Sequence, residues 1–142
     1  HAAIAGVGAA IDYVASWGRG EDLRCRIVSA MRDIAAWEER LARRYAARVA
    51  AVPGVRVWGP PFGDGERAPT VSITVDGIGA TDAARELGRA GIFVWDGHFY
   101  AARALEVLGI AERGLLRAGV LMYSTEEEVD RLAKGVERLA CR

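Results

Sequence analysis

The sequence predicts an α+β domain: a small, mostly antiparallel sheet of about four strands with helices packed on it. Three observations lead there. Apolar residues recur at steps of three and four at both ends of the chain, as in Ile4, Val7, Ile11, Val14 and Trp17, and again in Val129, Leu132, Val136 and Leu139. Short strand-like runs lie between them, the clearest being Val71, Ile73 and Val75 alternating with Ser72, Thr74 and Asp76. The elements follow in the order α, α, β, β, α, β, α, β, α.

The first helix carries the Ile4–Trp17 stripe, and Gly6 and Gly8 in it read as places where another element approaches closely. Gly18-Arg19-Gly20 breaks it. A long helix from about Leu23 to Val52 follows, with Ile34, Trp37, Leu41, Tyr45, Val49 and Val52 on its apolar side. Arg40, Arg43, Arg44 and Arg48 fill the rest. They read as a phosphate patch or as a solvated face paired with Glu38 and Glu39, and the second is favoured. Pro53-Gly54 stops the helix.

Val55 to Trp58 forms a first strand, a proline-rich loop runs from Gly59 to Pro69, and the alternating strand follows. A helix over about Thr81 to Ala90 ends at Gly91. Ile92 to Trp95 is apolar on both faces and is expected as a central strand. A helix starting at Phe99 and Tyr100 buries Leu105 and Leu108 and stops at Gly109. A strand from Leu115 to Met122 closes the sheet. Thr125 and Glu128 are spaced as a capping box for the last helix.

Composition narrows the function. The chain has 142 residues, 51% of them apolar, enough for one domain with a core. Lys+Arg and Asp+Glu are 19 each and the net charge is +0, which argues against a nucleic-acid partner. No apolar run approaches the roughly 18 residues of a membrane span. Cys25 and Cys141 lie near opposite ends without metal-type spacing, so we expect no metal site, a reducing setting and a cytoplasmic location. Lys134 is the only lysine and sits in a helix that reads as structural, so Schiff-base chemistry would need a lysine from elsewhere. The chain opens on His1, directly in a helical pattern, and reads as cut.

Two polar residues stand out, both in the stretch from Ile92 to Thr125. Arg117 lies mid-strand, on the side of Leu115, Gly119 and Leu121, while Leu116, Ala118, Val120 and Met122 face the core. Gly119 leaves room beside it. A guanidinium with room takes a carboxylate or phosphate in a bidentate grip; the alternative is an arginine paired to a nearby Asp or Glu. His98 follows a strand in an Asp-Gly-His turn, a usual place for a ligand contact and equally for a plain turn residue. Asp96 reads as a cap for the next helix, and Phe99 and Tyr100 as core.

Several segments resemble the class V aminotransferase family, and within it the cysteine desulfurase-like proteins. They are HAAIAGVGAAIDYV (1–14), VPGVRVWGP (52–60), TVSITVDG (70–77), GIFVWDGHFYA (91–101) and the run from Arg117 to Leu132, which opens RAGVLMYST. The resemblance covers essentially the whole chain. It implies the C-terminal small domain of a type I fold pyridoxal-phosphate enzyme, a transferase or lyase. Residues 20–142 would be that small domain, and the helix in 1–19 would belong to or contact a large domain. The resemblance places the cofactor lysine, the phosphate-binding turn and the aspartate facing the cofactor's pyridine nitrogen before His1. This chain would then hold no catalytic or cofactor-binding residue and bind no pyridoxal phosphate itself.

By the same resemblance Arg117 grips the α-carboxylate of an amino-acid substrate, with His98 beside it, in an enzyme that is a homodimer or self-associates. It sets Tyr100 where desulfurases carry their nucleophilic cysteine, a departure that speaks against persulfide chemistry. The competing reading is a free-standing α+β ligand-binding or oligomerisation module without catalysis.

Overall fold

A computed structural model describes residues 1–65 and 67–141. Among these the elements keep the expected order: α1 (Ala2–Ser16), α2 (Leu23–Ala50), β1 (Val55–Trp58), β2 (Thr70–Val75), α3 (Ala80–Arg89), β3 (Trp95–Gly97), α4 (Ala102–Val107), β4 (Leu115–Gly119) and α5 (Glu126–Ala140). The strands form one antiparallel sheet in the order β1-β2-β4-β3.

The sheet has two unlike faces. Val71, Ile73, Val75, Leu116 and Val120 are buried with Leu41, Tyr45 and Val49 of α2, Ala83 and Leu87 of α3, and Val129, Ala133, Val136 and Leu139 of α5. These helices cover one face and build the main core. On the other face the described residues form a small cluster: Leu105, Ile110 and Leu115, with Trp58 and Phe99 against it. Most of that second face stays open.

Asp22 caps α2, its Oδ1 accepting from Cys25 N at 2.7 Å. The capping box at the start of α5 forms as its spacing predicts: Glu128 N donates to Thr125 Oγ1 at 3.2 Å, and Thr125 N donates to Glu128 Oε2 at 2.9 Å. The arginines of α2 are a paired face, but their partners differ from those expected. Arg43 meets Glu39, whereas Arg40 reaches Glu126, Arg44 reaches Asp130 and Glu126, and Arg48 reaches Asp130 and Glu137 on α5. The ion pairs therefore tie two helices together rather than decorate one.

The expected central strand over Ile92–Trp95 is corrected in place and position. The strand begins at Trp95 and lies at the sheet edge. The cause is the end of α3. Gly91, at φ 69°, donates to Gly88 O, and Ile92 N donates to Leu87 O, closing a Schellman motif with Ile92 packed back near Leu87. Ile92 is thus spent on the helix end, and Phe93 is 89% exposed.

The same device ends α4. Gly109, at φ 72°, donates to Glu106 O, and Ile110 N donates to Leu105 O. Leu105 and Ile110 fill the small cluster, so Leu108, expected inside, is exposed. α4 also starts later than expected, at Ala102. β4 ends at Gly119 rather than Met122, because Val120 N turns to Pro69 O and Met122 falls in a turn.

α1 buries only Ala15, and Ile4, Val7, Ile11 and Trp17 remain exposed. The close approach expected at Gly6 and Gly8 is absent: nothing lies within 4 Å of a Cβ built at either.

Candidate functional site

The register of the sheet sets Arg117 in a row. Trp58 pairs with Ser72, Ser72 with Arg117, and Arg117 with Trp95. Residues opposite one another in a ladder share a face, so this row crosses the open side of the sheet. Arg117 and Trp95 are exposed, and Ser72 and Trp58 are half-buried. The alternation in β4 holds as predicted, with Leu116 in the core. Gly119, on the face of Arg117, leaves that side clear except for Thr70 Cγ2, which would stand 3.3 Å from an added Cβ.

Among the described residues Arg117 has no carboxylate partner. Its contact is aromatic: the guanidinium carbon lies 3.9 Å from the centre of the Phe99 ring. A stacked guanidinium keeps its in-plane N–H groups free to donate. The alternative of a structural ion pair is therefore not what the fold builds here.

Phe99 reaches Arg117 through an unusual turn. Ala101 N donates to His98 O at 2.8 Å, and the two central residues, Phe99 and Tyr100, have φ of 52° and 60°. Bulky side chains avoid this left-handed region, and each such residue costs about 1 kcal/mol or more. The His98 ring closes the turn, Nδ1 accepting from Tyr100 N at 3.1 Å. With Nδ1 occupied as an acceptor, the ring nitrogen left to donate is Nε2. Sequence reasoning expected a helix start here, and Phe99 and Tyr100 both in the core; Phe99 is half-buried and Tyr100 is fully exposed. Asp96 does not cap α4. It accepts from Thr81 Oγ1 at 2.6 Å and ties β3 to α3.

Other candidates fall away on geometry. A cavity of about 390 Å³ lies between α2 and the loop after β1, lined by Arg43, Val57, Phe62 and Arg67. Both its arginines are engaged, Arg43 by Glu39 and Arg67 by the carbonyls of Pro60 and Thr70. Cys25 is free and exposed, and its Sγ lies 3.5 Å from Asp22 Oδ2, which holds the thiol above its ordinary value and makes it a poor nucleophile. No group of three or more His, Cys, Asp or Glu among the described residues is placed to hold a metal. Among the described residues no helix is long and apolar enough to cross a membrane.

Lys134 lies exposed on α5, which covers the sheet face opposite Arg117. The chain's one lysine and its open arginine therefore cannot share a site.

Comparison with known proteins agrees with the layout of the sheet and helices. The class V aminotransferase family model matches residues 1–132. The chain belongs to the class V aminotransferase family. A cysteine desulfurase of Escherichia coli is 31% identical over 136 residues, which are 96% of this chain and 29% of that protein. A solved apo cysteine desulfurase from Thermococcus onnurineus superposes with a TM-score of 0.71 at 28% identity, covering 84% of this chain and 30% of that one. A cysteine desulfurase structure from Escherichia coli gives 0.64 at 25%, covering 84% and 31%. The chain thus spans about 30% of the length of the relatives it matches. The cystine C-S lyase C-DES, solved with glycine covalently linked to its pyridoxal-phosphate cofactor, shares the fold at a TM-score of 0.53 and 16% identity, over 81% of this chain and 28% of that one.

Proposed function

We infer that this chain acts as the substrate-side domain of a pyridoxal-phosphate-dependent class V enzyme, where Arg117 receives the carboxylate of an amino-acid substrate. The observation that carries this is an exposed arginine, without an acidic partner among the described residues, held on the open face of a sheet in a family of amino-acid enzymes. Two parallel N–H donors on a carboxylate fix both its position and its plane. The cofactor, when bound in such an enzyme, serves as the electron sink. This chain's part is to bind and orient. His98 Nε2–H is a second donor near the same turn.

Residues 1–19 read as the part that meets a large domain or a second copy of the chain, and the exposed Ile4, Val7 and Ile11 support this. Tyr100 in the turn, and Cys25 and Cys141 on the helices of the covered face, speak against persulfide transfer at this site.

The test is to titrate the chain with L-alanine and, separately, with methylammonium chloride, which lacks a carboxylate. The signal is the NMR resonance of Arg117 Nε–Hε. A charge-assisted contact of roughly 2–3 kcal/mol predicts half-saturation at roughly 6–35 mM alanine. Arg117→Ala should abolish binding, and Arg117→Lys should weaken it, because the fork is lost while the charge stays. An Arg117 resonance indifferent to alanine would overturn the reading. In parallel, pyridoxal phosphate should leave no stoichiometric borohydride-trapped adduct at Lys134; finding one would show that the chain carries its own cofactor lysine.

A further inference from the structure

Phe99 and Tyr100 are adjacent, non-glycine, and both left-handed, at φ 52° and 60°. Strain of this kind persists only where the surroundings impose it, and it gathers at functional sites. The turn throws the two rings apart. Tyr100 stands fully in solvent, while Phe99 lies on the small cluster of Leu105, Ile110 and Leu115 on one side and under the Arg117 guanidinium, 3.9 Å away, on the other. The turn is closed twice by one residue, His98, whose carbonyl accepts from Ala101 N and whose Nδ1 accepts from Tyr100 N.

We propose that Phe99 is a positioning residue for Arg117: the strained turn, latched by His98, holds the Phe99 ring as a shelf that fixes the plane of the guanidinium. The inference rests on Arg117 being the carboxylate receptor. Without the shelf an exposed arginine samples many rotamers, and each binding event must order it. With it, one flat face of the guanidinium is covered, and a carboxylate can approach only edge-on, along the paired N–H donors. The strain in the turn is offset by the packing of Phe99 on Leu105 and Leu115 and by the His98 latch.

The test compares Phe99→Leu, which keeps apolar cover for the cluster but removes the ring face, with Phe99→Tyr, which keeps the ring. Two readouts are needed. The first is the Arg117 Nε–Hε chemical shift without ligand, displaced upfield by ring current when the stack is formed. The second is the affinity for sodium acetate. Phe99→Leu should lose the upfield displacement and bind acetate roughly two- to five-fold more weakly, the range expected for an exposed cation–π contact. Phe99→Tyr should keep both. His98→Ala removes the Nδ1 latch and should lose the upfield displacement of the ligand-free Arg117 resonance, as Phe99→Leu does; this ligand-free readout alone serves if that variant does not fold, because His98 is itself a candidate donor to the carboxylate. Unchanged acetate affinity in Phe99→Leu, with binding lost in Arg117→Ala, would overturn the shelf and leave the carboxylate reading standing. Unchanged affinity in Arg117→Ala would overturn the carboxylate reading, and the shelf with it.

Discussion

Arg44 on α2 and Asp130 on α5 meet fork to fork: Nε donates to Oδ1 at 2.9 Å and Nη2 to Oδ2 at 2.8 Å. Arg48 lies 3.3 Å from the same carboxylate and also pairs with Glu137. The Arg44 hydrogen bonds, aided by both positive charges, hold the Asp130 carboxyl at about 2, against 3.8 for an unperturbed group. A lowered carboxyl favours the folded state when ionised. This contribution is complete above about pH 4 and is lost as pH falls toward 2. Asp130→Asn should therefore be less stable than the parent at neutral pH, and the two urea midpoints should converge as pH approaches 2. A gap of the same size at both pH values would show that the pair does not act through charge.

Tyr45 gives the opposite sign. It is buried under α5 and the sheet, and burial raises its phenol well above 10. A raised acid stabilises the fold while protonated. The contribution is whole below pH 10 and is lost as pH climbs above it, because the unfolded chain ionises first. Tyr45→Phe should flatten the alkaline limb of the stability profile. An unchanged limb in the variant would place the alkaline loss elsewhere.

The order of elements was legible because apolar periodicity is a local property, and the core stripes of α2 and α5 are long enough to show it. The facing of Arg117 was legible for the same reason, since β4 alternates and Leu116 is apolar. The position of β3 was not. Ile92 and Phe93 look like strand residues, yet the Gly91 αL turn draws Ile92 onto Leu87 and uses up the first half of the run. Leu87 to Ile92 and Leu105 to Ile110 share the spacing Leu-x-x-x-Gly-Ile, and that pattern was the available signal for both helix ends. The neighbours of Arg117 were out of reach. Ser72 and Trp95 become adjacent only through the register, and Phe99 only through a turn that aromatic residues rarely adopt. The partners of Arg44 and Arg48 lie more than eighty residues away in sequence.

Gly18 makes a sharp local prediction. A Cβ there would stand 1.8 Å from Arg26 O and 3.0 Å from Ala30 N, both backbone atoms that cannot turn aside. α1 has little else to hold it, with Ala15 its one buried residue. Gly18→Ala should therefore displace α1 from α2 at a cost of about 1–3 kcal/mol, and leave the sheet core intact. Hydrogen exchange should accelerate in α1 and stay unchanged in β2 and β4. Loss of protection throughout would mean that α1 is part of the cooperative core.

Leu116 and Arg117 are adjacent in β4 and point to opposite faces, so their loss should separate folding from binding. Leu116 is 2% exposed, between β2 and the covering helices. Leu116→Ala removes buried methyls and leaves a cavity, which costs about 2–5 kcal/mol. Arg117 is exposed and touches Phe99 through a stack alone. Arg117→Ala should cost no more than about 1 kcal/mol of stability, the scale of an exposed cation–π contact, while removing the charge-assisted contact to a carboxylate. Melting temperature and alanine titration, measured on both variants, should show a crossed pattern. Leu116→Ala lowers the melting temperature and binds normally below it; Arg117→Ala melts near the parent and does not bind. If Arg117→Ala instead melts as low as Leu116→Ala, the arginine is a structural strut, and the open face of this sheet must find its ligand through another residue of the Trp58–Trp95 row.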